Sequence, residues 1–502
     1  MSQNLFDRLE ASITSPAATA IETLAGERIS YGALLARTGQ MANALVSLGL
    51  TPGGRVAVQI EKSVEGIILY LATVRAGGVF LPLNTGYTTA EIDYFVSDAE
   101  PVLLICDPAK AGAMAELAAK AGARLLTLGA DGQGSLSDAA APADPAFATV
   151  PRADDDLAAL LYTSGTTGRS KGAMLTHNNL VSNALTLRDT WAYTADDVLI
   201  HALPIFHTHG LFVATNLTLF SGASMIFLPK FDIDRIFELM TRATVLMGVP
   251  TFYVRLLEDD MLNCETTANM RLFISGSAPL LAETHRAWRA RTGHAILERY
   301  GMTETNMNTS NPYKGERVAG TVGLPLAGTE VIVTDPETGA LLPAGEIGMI
   351  EVRGANVFKG YWRMPEKTAA ELRENGFFIT GDLGRIDARG YVHIVGRGKD
   401  LIITGGYNVY PKEIEAEIDE IPGVLESAVI GISDKDFGEA VTAVVVPTGS
   451  PRLSEADILQ ALAPRLARFK QPKHIHFVEE LPRNTMGKVQ KNLLRDRFAA
   501  KL

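Results

Sequence analysis

Three glycines, a series of hydroxyl side chains and two cations crowd one short segment of the chain, YTSGTTGRSKGA at 162–173. Gly165 and Gly168 let the backbone approach a ligand closely, and the neighbouring hydroxyl and backbone N–H groups can donate hydrogen bonds to phosphate oxygens. Arg169 and Lys171 add positive charge. The segment is not a Walker A loop, because that motif places Lys directly after its second glycine. It predicts a phosphate-binding loop whose candidate contacts are Thr163, Ser164, Gly165, Thr166, Thr167, Gly168 and Lys171.

Four further motifs follow this loop along the chain: ERYGMTET at 298–305, TGD at 380–382, GRGKDLIITGGYN at 396–408 and PRNTMGKVQK at 482–491. With all five in this order, the chain resembles, over essentially its whole length, the adenylate-forming enzymes. That family includes acyl-CoA synthetases, luciferases and peptide-synthetase adenylation domains. The resemblance implies a first half-reaction in which a carboxylate and ATP give an acyl-AMP and pyrophosphate.

The charges in these motifs suit that reaction on chemical grounds. A carboxylate has a pKa of about 4, so it is already an anion at neutral pH and needs no general base before it attacks phosphorus. The obstacle is repulsion between this anion and the polyanionic nucleotide. The site must therefore supply cations, oriented donors and a divalent metal.

The resemblance assigns individual roles to residues of the motifs. Lys488 matches the family's catalytic lysine, which bridges the carboxylate and the α-phosphate, and Thr303 resembles the contact to that phosphate. Glu304 is the candidate ligand of Mg²⁺, since this ion takes one or two protein carboxylates and fills its shell with phosphate and water. Asp382 is suited to the ribose hydroxyls, and Arg397 resembles its partner. The nucleotide site is completed by Tyr300, Gly301 and Met302.

The second half-reaction is assigned to the segment around residue 400. Lys399 occupies the family's hinge position, so the resemblance implies that the C-terminal domain first brings Lys488 to the site and then rotates. Gly405 and Gly406, with Tyr407, would then line a narrow channel for the pantetheine arm of CoA. The thiol attacks the acyl carbonyl and AMP leaves. The two glycines are equally compatible with an ordinary tight turn.

The acid is suggested by HALPIFHTHGLF at 201–212, VPTFYVR at 249–255 and FISGSAPLL at 273–281. These segments resemble those of the bacterial malonyl-CoA synthetases. A fatty acid needs an apolar tunnel, whereas the polar side chains here would suit a second carboxylate. The candidate substrate contacts are His207, Thr208, His209, Arg255, Ser277, Arg299 and Met307.

The two arginines are the candidate clamps for that carboxylate, because a guanidinium can grip a carboxylate through two parallel hydrogen bonds. Arg255 is expected to wall the acyl pocket, and Arg299 directly precedes the nucleotide motif. Either arginine could instead form an internal salt bridge, and Arg286 is a competing candidate. His207 is interpreted as a gating or hydrogen-bonding residue of the pocket. Whether methylmalonate also fits stays open.

Composition limits the classes of partner. A net charge of −11 argues against nucleic acid, since binding a polyanion needs a broad basic face. The N-terminal segment mixes charged and apolar residues unlike a signal peptide, and the uncharged segment 198–229 contains too many histidines, prolines and glycines for a good membrane span. Two cysteines, Cys106 and Cys264, are too few for a disulfide framework. We expect a cytoplasmic enzyme without membrane insertion, with malonate, ATP and CoA as partners.

The order of predicted elements indicates an α/β fold. Residues 54–84 and 196–229 each predict a strand, a helix, a glycine turn and a second strand, the βαβ unit of a parallel sheet. The run DLAALLY before the phosphate loop and Thr176 after it predict the order strand, loop, helix. Short runs such as TEVIVTD and GYVHIVG, after Pro312, predict a small β subdomain.

These elements predict two domains. The larger, 1–397, is an AMP-binding domain of two doubly wound βαβ subdomains plus the small β subdomain. The smaller, 398–502, is a mobile α/β domain that carries Lys488. In it, Pro411 is expected near the start of a helix, and Ser454 with Asp457 resembles a capping box.

Two other functions remain open on the sequence. One is an acyl-CoA synthetase for a short-chain or aromatic monocarboxylate. The other is a stand-alone adenylation enzyme that loads a carrier protein, which we do not expect, because no carrier-domain serine motif is appended at the end of the chain. A relative without catalysis is disfavoured by the presence of Glu304, Asp382 and Lys488.

Overall fold

The computed structural model describes residues 2–163, 170–404, 407–434, 438–450, 453–484 and 487–499. Within these ranges the strands, in chain order, are β1 (Thr19–Thr23), β2 (Arg28–Ser30), β3 (Arg55–Gln59), β4 (Val79–Pro82), β5 (Leu103–Cys106), β6 (Arg124–Thr127), β7 (Leu157–Thr163), β8 (Lys171–Thr176), β9 (Val198–His201), β10 (Ser224–Phe227), β11 (Val245–Gly248), β12 (Leu272–Ser275), β13 (Leu297–Met302), β14 (Asn306–Ser310), β15 (Leu324–Pro325), β16 (Thr329–Thr334), β17 (Gly348–Gly354), β18 (Gly360–Tyr361), β19 (Phe378–Ile386), β20 (Val392–Arg397), β21 (Ile402–Thr404), β22 (Tyr407–Val409), β23 (Val424–Asp434), β24 (Gly438–Pro447) and β25 (His474–Phe477).

The α-helices of the same ranges are α1 (Leu5–Ser12), α2 (Tyr31–Ser47), α3 (Val64–Arg75), α4 (Thr89–Ala99), α5 (Ala111–Ala121), α6 (Ser135–Ala140), α7 (His177–Thr190), α8 (Leu217–Phe220), α9 (Ile233–Met240), α10 (Pro250–Leu257), α11 (Ala282–Thr292), α12 (Pro365–Glu371), α13 (Pro411–Asp419), α14 (Glu455–Leu462) and α15 (Lys491–Ala499). A π-helical segment spans His209–Asn216, and 3-10 turns span Pro108–Lys110, Gly398–Asp400 and Arg468–Lys470.

The first half of the N-terminal region is built on a seven-stranded sheet in the order β18-β8-β7-β4-β3-β5-β6. The strands from β7 to β6 run parallel. β3, α3 and β4 form the βαβ unit predicted for residues 54–84. Nearly every residue of α3 is buried, because its sequence VEGIILYLATVR is apolar on almost every side.

The second half contains a nine-stranded sheet in the order β15-β14-β13-β12-β11-β9-β10-β1-β2. Its strands from β13 to β1 are parallel, and β2, β14 and β15 add antiparallel edges. β9, the π-helical segment with α8, and β10 form the second predicted βαβ unit. The uncharged segment 198–229 is thus made of two buried strands and a buried helical stretch.

One apolar core joins the two halves. It includes Ile68 of α3, Leu180 of α7 and Phe212 of the π-helical segment. Within it Tyr70 and Asn216 exchange hydrogen bonds, with Tyr70 Oη 3.2 Å from Asn216 Oδ1. Because both sheets share this core, the loops at the carboxyl ends of their parallel strands face a common region, which is where α/β folds bind ligands. Across the described residues, none of the helices is both long and apolar enough to cross a membrane.

The structure corrects the predicted order around the phosphate loop. The loop joins β7 to a second strand, β8, which pairs antiparallel with β7 between Leu157↔Thr176 and Thr163↔Lys171. The run KGAMLT forms a strand because its backbone also pairs with β18 on its other side. The predicted cap is confirmed, since Thr176 opens α7 in a capping box with Asn179.

The predicted small β subdomain is confirmed as a four-stranded antiparallel sheet in the order β16-β17-β19-β20. Its last two strands place Asp382 and Arg397 directly opposite each other. The register of this pair therefore brings together two motifs, TGD and GRGKD, that stand fifteen positions apart in sequence.

The C-terminal region has its own sheet in the order β22-β21-β24-β23, with β25 parallel to β24. Its helices agree with the sequence: Pro411 is the first residue of α13, and Ser454 caps α14 in a capping box with Asp457. Residues of β23 and β24 such as Val429 and Val441 share an apolar core with Ile414 of α13.

Candidate active site

Asp382, Arg397 and Tyr300 form a hydrogen-bonded group where the small β sheet meets β13, with Asp382 buried and the other two half-buried. Arg397 Nε lies 2.7 Å from Asp382 Oδ1, and Tyr300 Oη donates to Asp382 Oδ2 at 2.6 Å. Asp382 lies opposite, so its negative charge is the main cause of a raised Arg397 pKa. Both carboxylate oxygens of Asp382 thus have a donor, which offsets the cost of burying this carboxylate.

Lys488 reaches this group from the C-terminal region. Burial lowers the pKa of Lys488 to about 8, and the positive charge of Arg397 lowers it further, while Asp382 opposes the shift. The surrounding protein removes part of the water around the ammonium, although residue 488 as a whole is still exposed. Lys399, on the 3-10 turn that follows β20, is a second cation at the same place, and burial lowers its pKa as well. The structure therefore brings Lys488 and Lys399 to Asp382 and Arg397.

Glu304 lies in the turn between β13 and β14 and is buried. Burial raises its pKa, and the nearby charges of Lys171 and Arg397 act against that rise. Its Oε1 accepts a hydrogen bond from Tyr361 Oη at 3.1 Å. A cation bound at this carboxylate would complete its shell from phosphate and water. That is the ligand pattern typical of Mg²⁺.

Tyr361 connects Glu304 to a second pair of charges. Lys171 Nζ lies 3.2 Å from Glu371 Oε2 and donates to Tyr361 Oη at 3.1 Å, while Tyr361 Oη lies 2.7 Å from Glu371 Oε2. Lys367, one turn earlier on α12, also pairs with Glu371 at 2.7 Å. Tyr361 and Glu371 could not be predicted from the sequence, because each stands far along the chain from Lys171 and belongs to no motif.

The rest of the phosphate loop lies partly beyond the described residues. Ser164, Gly165, Thr166, Thr167, Gly168 and Arg169 fall outside them, as do Gly405 and Gly406. Thr163 is described at the end of β7, and its Oγ1 lies 3.4 Å from the backbone oxygen of Lys171. Tyr407 is exposed at the start of β22 and stacks on Phe469 at 4.6 Å between ring centroids.

The β13–β14 turn holds the other nucleotide candidates. Met302 and Thr303 are half-buried there. A Cβ on Gly301 would lie 1.8 Å from the backbone oxygen of Asn306 and 2.6 Å from Met307 Cε. Glycine is therefore required at 301 for the strands to close, and the Met307 side chain, on β14, lies against it.

Arg299 is the central residue of the acyl-site candidates, and it is 3% exposed. Its Nε and Nη2 have no hydrogen-bond partner among the described residues. Burial lowers the pKa of Arg299 to about 9, although Tyr253 and Glu298 oppose the shift. A Cβ at Gly276 would lie 2.3 Å from Arg299 Cζ, so only glycine leaves room for the guanidinium. The fold thus buries the Arg299 guanidinium away from solvent while leaving two of its donors without a described partner.

The histidine segment borders this cation. His209 Nδ1 lies 3.1 Å from Ser277 Oγ, and the His209 backbone N–H donates to His207 Nδ1 at 3.4 Å. Burial, with the charge of Arg299, lowers the pKa of His207 to about 4 and that of His209 well below its usual value. Both rings are therefore neutral at physiological pH. Thr208 Oγ1 and His209 Nε2 are further buried atoms without a described partner.

Ser277 has a backbone φ of +72°, a left-handed conformation that side chains other than glycine seldom adopt. In this conformation the Ser277 hydroxyl lies within hydrogen-bond distance of His209. Together these residues form an uncharged, hydrogen-bonding wall around Arg299. We name the set Arg299, His207, Thr208, His209 and Ser277 the anion pocket.

Arg255 and Arg286 both lie outside the anion pocket. α10 turns Tyr253 and Leu256 into the core, so position 255 points outward, and Arg255 is exposed with its guanidinium 5.9 Å from the Phe231 ring. Phe231 lines a different cavity of about 260 Å³, whose described lining includes neither Arg299 nor His209. Arg286 is 60% exposed and pairs with Glu420 of the C-terminal region at 3.5 Å.

Comparisons with known proteins extend this description. The chain matches the model of the AMP-binding enzymes over residues 10–362 and that of the AMP-binding enzyme C-terminal domain over residues 413–488. The crystal structure of ATP-bound MatB from Rhodopseudomonas palustris has 67% identity and a TM-score of 0.98, and covers 99% of each chain. Malonate–CoA ligase of Arabidopsis thaliana is 36% identical over 91% of this chain and 80% of its own length. A feruloyl-CoA synthase of Amycolatopsis is 37% identical over 96% of both.

Proposed function

This chain belongs to the AMP-binding enzyme family, as its five motifs predicted, and we propose that it is an ATP-dependent ligase that joins malonate to CoA. The observation that carries the proposal is the buried guanidinium of Arg299, whose Nε and Nη2 have no hydrogen-bond partner among the described residues. A buried cation normally has a carboxylate partner, because an unpaired charge away from water is costly. A dicarboxylate supplies that partner and still leaves one carboxylate to react.

Sequence identity alone does not choose the acid. The malonate–CoA ligase and the feruloyl-CoA synthase are 36% and 37% identical to this chain. A ferulate ring would leave Arg299 buried and unpaired, whereas malonate would place its distal carboxylate against it. The anion pocket therefore favours malonate over an aromatic or short-chain monocarboxylate. The solved structure at 67% identity, which is called MatB, supports the same choice.

In the first step one carboxylate oxygen of malonate forms a bond to the α-phosphorus of ATP, and the bond between that phosphorus and the bridging oxygen to the β-phosphate breaks. Lys488 donates to the carboxylate and the α-phosphate as charge shifts between them, and Thr303 donates to the same phosphate. Pyrophosphate leaves toward Lys171, Thr163 and the segment 164–168. Asp382 accepts from the ribose hydroxyls, beside Arg397 and Tyr300.

Mg²⁺ would be held by Glu304 and the phosphates, where it would offset negative charge on the nucleotide. In the second step the thiolate of CoA forms a bond to the acyl carbonyl carbon, and the bond to AMP breaks. Gly405, Gly406 and Tyr407 are the proposed walls of the thiol channel. His207 is neutral, so it can donate a hydrogen bond without adding charge beside the acyl group.

We also propose the domain boundary at Arg397, with Lys399 as the hinge. Supporting it, the small β sheet ends at Arg397, a 3-10 turn covers Gly398–Asp400, and the next sheet begins at Ile402. A cytoplasmic location is proposed because the reaction consumes ATP and CoA, and because Cys106 and Cys264 are both free.

The test is an assay of the purified full-length protein with ATP, Mg²⁺ and CoA against malonate, methylmalonate, acetate and ferulate. Pyrophosphate release and the mass of the thioester are measured for each acid. We expect malonyl-CoA to form with the highest kcat/KM. Faster turnover of acetate or ferulate would contradict the assignment of the acid, and adenylate formation without any CoA thioester would favour the loading of a carrier protein.

A further inference from the structure

Hydrogen bonds between Asn484 and Lys488 close the base of the turn that carries Lys488. The Lys488 backbone N–H donates to Asn484 Oδ1 at 3.0 Å, and the Asn484 N–H donates to the backbone oxygen of Lys488 at 3.0 Å. Arg483 and Val489 pair as an isolated antiparallel bridge below these bonds. The path of the chain on both sides of Lys488 is thereby fixed relative to residues 483–484.

The Arg483 side chain fixes this turn to the sheet of the C-terminal domain. One arm of its guanidinium, Nη1, donates to the backbone oxygen of Gly487 at 2.6 Å, and the other, Nη2, pairs with Glu426 on β23. Gly487 directly precedes Lys488, so the clamp acts one peptide bond from the lysine. Burial is the main cause of a raised Glu426 pKa, and the facing guanidinium of Arg483 opposes that rise.

We infer that Arg483, held by Glu426, is a positioning residue for Lys488. The inference rests on the proposed function, in which Lys488 must reach the reacting atoms across the crevice beside Asp382 and Arg397. The lysine side chain has four rotatable bonds, so its ammonium can be placed accurately only if the backbone at position 488 is fixed. A shift of about 1 Å in such a group can cost roughly 100-fold in rate.

The chemistry of the clamp requires an arginine. A guanidinium presents donors on separate arms in a fixed plane, so it can bind the Gly487 carbonyl and the Glu426 carboxylate at once. A lysine ammonium at position 483 is one point charge and cannot span the two acceptors. Arg483→Lys is therefore expected to resemble Arg483→Met rather than the parent protein.

The clamp should serve one half-reaction only. Glu426, Arg483 and Gly487 all belong to the C-terminal domain, and the proposed thioester step uses Gly405 and Gly406 instead of Lys488. Loss of the clamp should slow adenylate formation and spare the attack of CoA on a ready-made adenylate. A residue that merely stabilised the domain would affect both steps together.

The test measures the two half-reactions separately on the full-length protein. Malonate-dependent exchange between ATP and labelled pyrophosphate reports adenylate formation, and release of malonyl-CoA from supplied malonyl-AMP and CoA reports the second step. We expect Arg483→Met and Arg483→Lys to lower the exchange rate by about 100-fold and to leave the second step within about twofold. Arg497→Met, a change of an exposed arginine on α15, is the matched control and should alter neither rate.

Glu426→Gln supplies the double-mutant test. Alone it should lower exchange by about tenfold, because an amide oxygen still accepts from Arg483 but without charge. Combined with Arg483→Met it should add nothing, since both changes break one clamp. Equal loss in both half-reactions, additive losses, or full exchange activity in Arg483→Met would each overturn the inference. If exchange in the parent protein occurs only with another acid, the choice of malonate is wrong, and the two half-reactions of the variants are compared with that acid instead. If the parent protein shows no exchange with any of the acids, the inference and the proposed function are both overturned.

Discussion

The nucleotide side and the acyl side of the crevice treat charge in opposite ways. On the nucleotide side Asp382 pairs with Arg397 at 2.7 Å, and Lys171 pairs with Glu371 at 3.2 Å. On the acyl side Arg299 is buried more deeply than the cations of these pairs, and two of its donors have no partner within the described residues. Its neighbours His207 and His209 are neutral and offer it no counter-charge.

This difference suggests two ways to recognise an anion. A paired site stays electrically balanced before ATP binds, and its cations can exchange a protein carboxylate for phosphate. In the anion pocket, by contrast, the Arg299 cation has no counter-charge before the acid binds, so its burial lowers the stability of the ligand-free fold. An acid that lacks a second carboxylate cannot offset that cost, so selectivity arises from rejection of the wrong acid as much as from attraction of the right one.

The largest expected effect is on the paired side. Asp382→Leu leaves Arg397 buried without its carboxylate and removes the acceptor of Tyr300, so we expect the free energy of unfolding to fall by about 3–5 kcal/mol. Asp382→Asn, which keeps an acceptor oxygen, should cost less. Urea denaturation of both variants measures the difference, and an unchanged midpoint for Asp382→Leu would mean that the pair does not stabilise the fold.

The matching change in the anion pocket should have the opposite effect on stability. Arg299→Met removes an unpaired buried cation, so the ligand-free protein should gain about 1 kcal/mol or more in stability. Malonate kcat/KM should meanwhile fall by the equivalent of about 2–5 kcal/mol, with little change in the KM for ATP. Thermal unfolding and steady-state kinetics test the two halves of this prediction. A less stable variant would show that Arg299 has a structural partner instead.

The pH dependence of malonate binding should follow the same residue. Burial lowers the pKa of Arg299 to about 9, so above pH of about 9 the guanidinium loses its proton and the malonate KM should rise about tenfold per pH unit. The sign for stability is reversed: above pH of about 9 the unfolded chain still binds the proton that the folded chain has lost, so this group makes folding more favourable as pH rises. Arg299→Met should lack the alkaline rise in the malonate KM. If the variant still shows this rise, another group is responsible for it.

A smaller effect is expected at the Lys171–Glu371 pair, which is partly exposed. Glu371→Gln removes the charge that orients Lys171, and we expect the KM for ATP to rise about fivefold while the KM for malonate stays unchanged. Glu366→Gln, an exposed change on the same helix, is the control. If the two variants behave alike, Glu371 does not act on the nucleotide side.

The smallest effect should come from Arg255. Its side chain is exposed and lies outside the anion pocket, so Arg255→Met should change stability and malonate kcat/KM by no more than about 0.5 kcal/mol. Parallel assays with Arg299→Met test whether the two arginines differ as the structure indicates. A large rise in the malonate KM of Arg255→Met would restore the original expectation for this residue.

Local patterns explain what could be predicted correctly. The two βαβ units, the caps at Thr176 and Ser454 and the start of α13 at Pro411 each depend on residues a few positions apart. The strand β8 was missed because its pairing partners are β7 and the distant β18, which contribute from outside the run KGAMLT. Glu371 was missed for the same reason, as it stands 200 positions from Lys171.

The family and the type of reaction could be inferred from the chain's motifs, since those that carry phosphate, carboxylate and lysine chemistry are short and keep their order along the chain. Which arginine is buried is visible only in the folded protein. Arg255 and Arg299 are the same residue type in equally plausible segments, but one faces outward from α10 and the other packs against Gly276 beside His209. Burial and pairing depend on neighbours brought together by folding, so the charge that selects the acid becomes visible only when the chain is folded.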